Sequence, residues 1–553
     1  MLLFLSLATG ANNSLECETP IMTARNLLFI LIVAVVAGGA FVLLLDGAED
    51  PSVDLVVIFT SDLHGQVEPC RNETGSMVGG LSRIAATSAA IGATADGALL
   101  LSAGDDLTGP LYSTFGGEPE LRAMTLAGYD AACPGNHEFD YGAATYWNAT
   151  HHAGYPVVCA NIVPAGMVQP SVVLDAAGVK VGVFGLMTPD LTRLSRPGDG
   201  VEVDPDVTGV AARTAADLRE QGAEIVVALT HTGAELDREV ARSVAGIDLI
   251  VGGHDHIYAN ETVEGPGGWK TVIVSDGTRG ERLGVFRFTY AGAGIEDPSW
   301  EWVFLDNTTP ADPAVDALLA PYLLKQTVVS GGPAGTLAAP LDLRRSTVRG
   351  GEAAAGNLIA DAWRAALPGA EIALVNGGSI RGDTILPAGP LSREDLDTIL
   401  PFENRLVAVN LTGRQVQQAL EVSAAALSEE TSGVASGGFL QVSGLAYIID
   451  AGATPYTVTY DGDGTPHVVH PGNRIKTISI TSDDTATPLD ENRTYRVVMS
   501  EFTAGGGDGY DVCKGVAVIA LEIYDIDPVL EYLREASPAA PVVEGRITVI
   551  NVT

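Results

Sequence analysis

Residues 54–62 of the chain read DLVVIFTSD, an apolar run of strand length that ends on polar residues. Four runs of the same kind follow: GALLLSAGDD at 97–106, VKVGVFGLMTPD at 179–190, AEIVVALTHT at 223–232 and IDLIVGGHDH at 247–256. Runs that are apolar at every position predict strands covered on both faces, as in a sheet flanked by helices. Residues 79–91, 209–221 and 235–245 have helical apolar spacing and supply helices between the runs. The sequence therefore predicts an α/β fold.

A length of 553 residues favours two or three domains, and the sequence changes character after about residue 306. Residues 310–328 predict one helix, and VVSGGPAGT at 328–336 predicts a flexible link. A second unit then begins with a helix over 352–367 and a strand within 371–383. We expect an N-terminal signal or anchor at 1–50, a first domain at 51–310, a linker helix and hinge at 311–340, and a second domain at 341–553.

The chain is strongly acidic, with 69 Asp and Glu against 31 Lys and Arg and a net charge of −38. Such a surface repels nucleic-acid backbones and anionic lipid, which argues against a DNA or RNA polymer as partner. It also repels a free nucleotide. Any phosphate site must therefore carry its own local positive charge.

An uncharged run at 27–45 follows Arg25 and is closed by Asp46. Nineteen apolar residues can just span a bilayer, and the preceding positive charge favours keeping the rest of the chain outside. We expect a retained membrane anchor on an extracytoplasmic protein, with a cleaved signal and secretion as the alternative.

Two other patterns bear on the compartment. Asn-X-Ser/Thr triplets are acceptors for glycosylation only in exported chains, and eight of the sixteen asparagines begin one. They are Asn12, Asn72, Asn148, Asn260, Asn307, Asn410, Asn492 and Asn551. The five cysteines form no CxxC pair, so neither a zinc ribbon nor a disulfide scaffold is indicated. The sequence thus favours an exported glycoprotein and does not indicate an oligomeric state.

Polar clusters follow the predicted strands, and five of the nine histidines fall in them. The clusters are Asp62-X-His64, Gly104-Asp105, Gly135-Asn136-His137-Glu138, His231 and Gly253-His254-Asp255-His256. An Asp and a His two positions apart at a strand end point the same way, so both can ligate one ion. Five such clusters in order predict a metal centre at the carboxyl ends of the strands.

The order of these clusters resembles that of the calcineurin-like metallophosphoesterases, and GNHEFDYG at 135–142 resembles the 5'-nucleotidase family within them. The resemblance implies a metallophosphoesterase sandwich with helices flanking β-sheets, and two divalent ions bridged by Asp105. It assigns Asp62, His64 and His256 to one ion, and Asn136, His231 and His254 to the other. A bridging carboxylate can hold two cations close enough to acidify a water and stabilise an in-line displacement. Zinc and manganese both suit this set of nitrogen and oxygen ligands.

The resemblance also implies that His137 lies over the scissile phosphate as the catalytic residue, held by Asp140. A carboxylate that fixes an imidazole tautomer is an ordinary general-acid arrangement. The alternative for His137 is that it is a third metal ligand. The alternative for Asp140 is that it caps a helix or a turn. Ser61 replaces the asparagine that usually precedes the first Asp in the family, but that position is not a ligand.

Four segments of the second unit resemble the family's smaller α/β nucleotide-binding C-terminal domain: 344–362, NGGSIRGD at 376–383, 400–413 and FTAGGGDGY at 502–510. The resemblance gives phosphate or carboxylate binding to Arg345, Arg349 and Arg381, base contact to Asn376, base stacking to Phe402 and Phe502, and the ribose hydroxyls to Asp508. An arginine fork fits phosphate oxygens, and two aromatic faces hold a base while reading little of its identity.

The sequence therefore predicts an exported dimetal phosphohydrolase that acts on nucleoside 5'-monophosphates and also accommodates UDP-sugars. A 2',3'-cyclic-nucleotide phosphodiesterase with 3'-nucleotidase activity is the main alternative, and a thiosulfohydrolase is another. A surface-anchored binding protein with a dead site is the alternative outside the enzymes. The binding-protein alternative requires that the complete set of predicted metal ligands is present without catalysing a reaction.

Overall fold

The structure is a computed structural model, and it describes residues 52–551 except for 73–75, 164–167, 199, 293, 331, 429–433, 435, 462–464 and 483–484. The expected signal or anchor at 1–50 lies outside the described residues. Within the described part of the chain, no helix combines the length and the apolar character that a bilayer span requires.

Two mixed sheets form the first lobe. The five-stranded sheet has the order Ile295–Phe304, Arg282–Tyr290, Val53–Thr60, Gly97–Ser102 and Ala131–Ala132. The six-stranded sheet has the order Tyr258–Glu264, Lys270–Asp276, Leu249–Gly252, Ile225–His231, Val179–Met187 and Ser171–Ala176. All five apolar runs of the sequence are strands of these sheets, which confirms the α/β prediction. Within each sheet these strands lie parallel to one another, so their carboxyl ends meet at one edge.

The inward faces of the two sheets share one buried apolar cluster, in which Val57 and Leu101 of one sheet meet Val183 and Val227 of the other. The outward faces are covered by helices, because the central strands are apolar on both sides. Leu81–Gly92 and Glu118–Ala127 cover the five-stranded sheet, and Val207–Glu220 and Ala234–Ser243 cover the six-stranded one. The three helices expected at 79–91, 209–221 and 235–245 are thus confirmed. Shorter helices at Gly109–Phe115, Ala143–Ala149 and Leu191–Leu194 complete the lobe.

The helix expected over 310–328 spans Pro313–Ser330. Its first turns belong to the core of the first lobe, where Val315 and Leu319 are buried. The following residues differ from the expected flexible link. Pro333–Leu337 forms a strand that pairs with Gly389–Ser392, because a Pro at the start of an edge strand leaves the rest of its backbone free to pair.

The second lobe is built on a five-stranded sheet and a four-stranded one. The first has the order Leu440–Ser443, Ile372–Asn376, Thr494–Ser500, Arg405–Thr412 and Val518–Tyr524. The second has the order Thr485–Pro488, Ile475–Ser482, Leu445–Asp450 and Ile547–Ile550. The helices are Arg345–Val348, Ala354–Ala366, Arg393–Ile399, Gly413–Ala425, Glu501–Ala504 and Ile526–Glu535. The helix and strand expected at the start of this unit are therefore present. The buried apolar clusters of this lobe contain only residues from Ala334 onward.

One buried carboxylate of the first lobe predicts a pH-dependent stability. Glu120 is 1% exposed on the helix Glu118–Ala127, and neither of its carboxylate oxygens has a hydrogen-bond partner among the described residues. Burial raises the pKa of Glu120 from 4.5 to about 8. Between about pH 4.5 and pH 8, the folded state therefore keeps a proton on Glu120 that the unfolded state has lost. The free energy of unfolding must fall as the pH rises from about 4.5 through about 8.

We expect Glu120→Gln to remove this loss and to stabilise the protein at pH 9 by on the order of 2 kcal/mol. Melting temperatures at pH 6 and pH 9 measure the effect, with Glu220→Gln on an exposed helix position as the matched control. A wild-type protein and a Glu120→Gln variant that lose stability equally between these pH values would contradict the interpretation.

Candidate active site

The carboxyl ends of the parallel strands bring all seven predicted metal ligands to one place. Asp62, Asp105 and Asn136 follow strands of the five-stranded sheet. His231 is the last residue of a strand of the six-stranded sheet, and His254 follows another strand of that sheet. Five of the seven have a left-handed backbone, which is costly for residues other than glycine and is concentrated at functional sites. These five are Asp62, His64, Asp105, His254 and His256, with φ between 49° and 84°. The backbone is therefore bent to aim side chains into the gap between the sheets.

Carboxylates and imidazoles crowd together in this gap. Oδ1 of Asp62 lies 3.4 Å from Nε2 of His256, and that nitrogen lies 2.9 Å from Nε2 of His64. On the other side, Nε2 of His231 lies 3.1 Å from Oδ2 of Asp105. Three groups of such donor atoms have spacings that suit a metal ion, and Asp62, His64 and Asp105 each belong to two of them. Neighbouring groups thus share ligands, as a pair of ions would require.

The surroundings of His231 show whether these residues are suited to bind a cation. Nδ1 of His231 donates to the carbonyl of Ala103 at 2.8 Å. Its fully buried Nε2 lies 3.1 Å from Asp105 but makes no hydrogen bond to the described residues. Burial lowers the pKa of His231, but the Asp105 carboxylate raises it to a net value of about 10. A positive charge is thus strongly favoured between this ring and Asp105. A divalent cation supplies that charge, so the residues present fit a metal centre.

Asn136 and His254 complete the set on the side of His231. Oδ1 of Asn136 lies 3.1 Å from Nδ1 of His254, and both residues line the same cavity as Asp105 and His256. The backbone N–H of His254 also contacts the carboxylate of Asp62 at 3.0 Å. The structure therefore brings together every residue that the resemblance assigned to the two ions.

The sequence suggested no role for Glu138, the last residue of the Gly-Asn-His-Glu cluster. Its carboxylate accepts from the backbone N–H groups of Asp105, Asp106, Leu107 and Gly135, at 2.7 to 3.1 Å. These contacts tie the loop of Asp105 to the loop of Asn136. A carboxylate directly after two polar residues of a loop was the only signal for this role in the sequence.

His137 and Asp140 form a hydrogen-bonded pair beside the metal ligands. Nδ1 of His137 lies 2.7 Å from Oδ2 of Asp140, and that carboxylate also accepts from the hydroxyls of Thr108 at 3.2 Å and Ser195 at 2.9 Å. Neither hydroxyl was predicted from the sequence, since both lie in loops distant along the chain. Asp140 is thereby held in one orientation and fixes the ring of His137.

The other side of His137 meets the second lobe. Nη2 of Arg381 lies 3.1 Å from Nε2 of His137, and the ring of Phe402 stacks on the imidazole at 5.4 Å between centroids. Arginine can only donate, so Nε2 of His137 is the acceptor here and its proton lies on Nδ1, towards Asp140. The guanidinium of Arg381 also lies over the ring of Phe402 at 5.0 Å.

All seven residues predicted to bind substrate line the same cavity as His137 and four of the predicted metal ligands, Asp105, Asn136, His254 and His256. They are Arg345, Arg349, Asn376, Arg381, Phe402, Phe502 and Asp508. Asn376 donates to the buried carboxylate of Asp508 at 2.9 Å, and a Cβ at Gly507 would lie 2.5 Å from the ring of Phe502. The glycine-rich turn therefore makes room for that ring. Arg196 and Asn404 also line the cavity and were not singled out from the sequence.

Comparisons with known proteins agree with this geometry. Residues 55–258 match the family described as calcineurin-like phosphoesterase, and residues 333–515 match the 5'-nucleotidase C-terminal domain. The chain is 28% identical to the snake venom 5'-nucleotidase of Gloydius brevicauda, over 90% of this chain and 89% of that protein. It is 26% identical to the 5'-nucleotidase of Mus musculus, over 89% and 90% of the two chains. The crystal structure of the 5'-nucleotidase precursor from Thermus thermophilus is 29% identical and has a TM-score of 0.81, covering 90% of this chain and all of that one. The chain therefore belongs to the 5'-nucleotidase family of metal-dependent phosphoesterases, with a calcineurin-like phosphoesterase region followed by a 5'-nucleotidase C-terminal domain.

Proposed function

We propose that this enzyme is exported and releases phosphate from nucleoside 5'-monophosphates with the aid of two divalent ions, zinc or manganese. The observation that carries the proposal is one cavity that joins four of the candidate metal ligands, the His137–Asp140 pair, four arginines and two phenylalanines. In a chain of net charge −38, four arginines in one cavity supply the local positive charge that a phosphate needs.

In this proposal, Asp62, His64 and His256 would hold one ion, Asn136, His231 and His254 would hold the other, and Asp105 would be a ligand shared by the two. When bound, such a pair supplies Lewis-acid polarisation of the phosphoryl group and acidifies the attacking water. Glu138 would hold the loops of Asp105 and Asn136 in a fixed position relative to each other through its four hydrogen bonds.

The remaining chemistry belongs to His137 and Arg381. A phosphoryl oxygen attracts the guanidinium of Arg381, because a charged hydrogen bond to phosphate is stronger than one to a neutral imidazole. Nε2 of His137 can then take up a proton from solvent and give it to the leaving oxygen of the nucleoside, while Asp140 stabilises the doubly protonated ring in between. Two further arginines, Arg345 and Arg349, add positive charge to the lining of the same cavity. Their guanidinium groups contact the hydroxyl of Ser436 at 3.3 and 3.5 Å.

The nucleoside lies on the side of the second lobe. Phe402 and Phe502 supply aromatic faces for the base, Asn376 contacts it, and the buried carboxylate of Asp508 accepts from the ribose hydroxyls. Two base-stacking rings favour a nucleotide over a thiosulfate derivative.

We also propose the domain bounds 51–310 and 341–553, with a hinge in 311–340, because substrate and metals are held by different lobes. The lobes contact each other through several side chains near the site, among them Tyr141 with the carbonyl of Pro401 at 3.0 Å. Opening of the lobes would admit the substrate. A cross-link that freezes the hinge and leaves turnover intact would count against this motion.

Export is supported by the glycosylation triplets. The asparagines at 148, 307, 410, 492 and 551 are exposed, as acceptors of a glycan must be. We propose an extracytoplasmic enzyme anchored through residues 27–45, or secreted if that segment is removed.

A substrate panel tests the proposed function. The enzyme loaded with zinc or manganese is expected to release phosphate from AMP faster than from 3'-AMP, 2',3'-cyclic AMP, UDP-glucose or thiosulfate derivatives. Faster turnover of the cyclic nucleotide would favour the phosphodiesterase alternative, and no turnover of any compound would favour a binding protein. The same assay on intact cells and on culture supernatant separates an anchored enzyme from a secreted one.

A further inference from the structure

The loop at 188–198 carries side chains of the first lobe into contact with the second. Ser195 bonds to Asp140, and the guanidinium of Arg193 lies 4.1 Å from the centroid of the Tyr460 ring. Arg196 reaches further into the substrate cavity, where its guanidinium lies 5.9 Å from the centroid of Phe502. The guanidinium of Arg196 therefore lies over the face of one of the two base-stacking rings, at the outer limit of a cation–π contact.

Arg196 also fixes the amide of a neighbouring residue. Its Nη2 donates to Oδ1 of Asn404 at 2.6 Å, and Asn404 is buried at 5% exposure. An arginine has only donors, so it is the amide oxygen of Asn404 that must face it. That oxygen is the atom with which an asparagine would accept from an amino group of a base. The guanidinium makes no other hydrogen bond to the described residues, so its remaining donors are available to a ligand.

The free donors of the guanidinium are thus available to the edge of a stacked base, while the amide oxygen of Asn404 already accepts one hydrogen bond from Arg196. A 6-oxopurine has two acceptors side by side, O6 and N7, which match an arginine fork. Adenine has the acceptor N7 beside the amino group at position 6, which is a donor. A donor of the base would therefore face a donor of the guanidinium. A buried donor that meets another donor is left unpaired, and that mismatch is costly.

From this geometry we infer that Arg196 determines base specificity and makes the enzyme prefer 6-oxopurine nucleotides, such as IMP and GMP, over AMP. This inference rests on the proposed nucleotidase function and adds the substrate class to it. The pair IMP and AMP is the sharpest comparison, because the two differ only at position 6 and in the protonation of N1.

The test measures kcat/KM for IMP and AMP with the wild-type enzyme, Arg196→Gln and Arg196→Lys. The wild-type ratio of IMP to AMP is expected to be about tenfold. Arg196→Gln should bring the ratio close to one, mainly by slowing IMP. Arg196→Lys keeps the charge but loses the planar fork, so its ratio should lie between the two. Inosine should inhibit the wild-type enzyme more strongly than adenosine, a difference that Arg196→Gln should remove without any turnover of the inhibitor being required.

Arg213→Gln is the matched control, since Arg213 is 62% exposed on a helix of the first lobe and pairs with Asp204 and Asp206. It should keep the wild-type ratio. A wild-type ratio of one or below, which needs no variant to measure, would overturn the inference, as would an Arg196→Gln variant that slows both substrates equally. Failure of the proposed function is distinguishable, because the wild-type enzyme would then hydrolyse neither nucleotide.

Discussion

Asp105→Asn is expected to lower kcat/KM for AMP by at least about a thousandfold and to release most of the bound metal. The carboxylate of Asp105 lies 3.1 Å from Nε2 of His231 and belongs to two of the three groups of candidate ligands. Asparagine keeps the shape of the side chain but removes the negative charge that both ions would share. Burial raises the pKa of Asp105, yet the imidazoles of His231 and His137 hold it well below its ordinary value, so the charge is present at any working pH.

Metal content measured by elemental analysis and phosphate release measured on the same preparation check this result. Asp217→Asn is the matched control, because Asp217 is exposed on the helix Val207–Glu220, far along the chain from the site. It should keep wild-type activity and metal content. If Asp105→Asn kept both as well, the proposed metal centre would be wrong.

His137→Gln is expected to lower kcat for AMP by about a thousandfold while the bound metal remains. A glutamine can occupy the space and accept a hydrogen bond from Arg381, but it cannot give a proton to a leaving alkoxide. A substrate with a better leaving group needs that proton less. 4-Nitrophenyl phosphate should therefore lose much less activity than AMP in the same variant.

His467→Gln is the matched control for this experiment, since His467 is 54% exposed and bonded to Asp461 on an outer hairpin. It should leave both substrates unaffected. Equal losses on AMP and 4-nitrophenyl phosphate would show that His137 acts on the phosphoryl group and not on the leaving oxygen. Loss of metal from His137→Gln would instead make it a ligand.

The sequence predicted the parts of the site that follow directly from strand order. Apolar runs indicate where the strands are. A polar residue at the end of each run must then lie at the carboxyl edge of the sheet, regardless of how the rest of the chain folds. Asp62 and His231 could be placed in this way from the sequence alone. The same logic worked for the helix Ala354–Ala366, whose apolar spacing is strong.

Contacts between distant loops could not be predicted in this way. Ser195 and Thr108 reach Asp140 only because separate strands end side by side, and no periodic pattern marks either residue. Arg196 lies in a loop whose composition is ordinary, and its place beside Phe502 depends on how the two lobes meet. The prediction of a flexible link at 328–336 was wrong for a related reason. Its Gly and Pro residues are typical of a loop, yet pairing with Gly389–Ser392 makes part of it a strand.

The hydrogen bond between Arg381 and His137 has a consequence for the idle enzyme. While the guanidinium occupies Nε2, the imidazole has its only proton turned towards Asp140 and has none to offer inside the cavity. Under the proposed mechanism, a nucleoside without phosphate has no anion to draw Arg381 away, so Nε2 of His137 stays engaged and cannot carry a proton to a leaving group. The substrate phosphate would itself free Nε2, so the enzyme would gain its general acid only when a group that it can remove is bound.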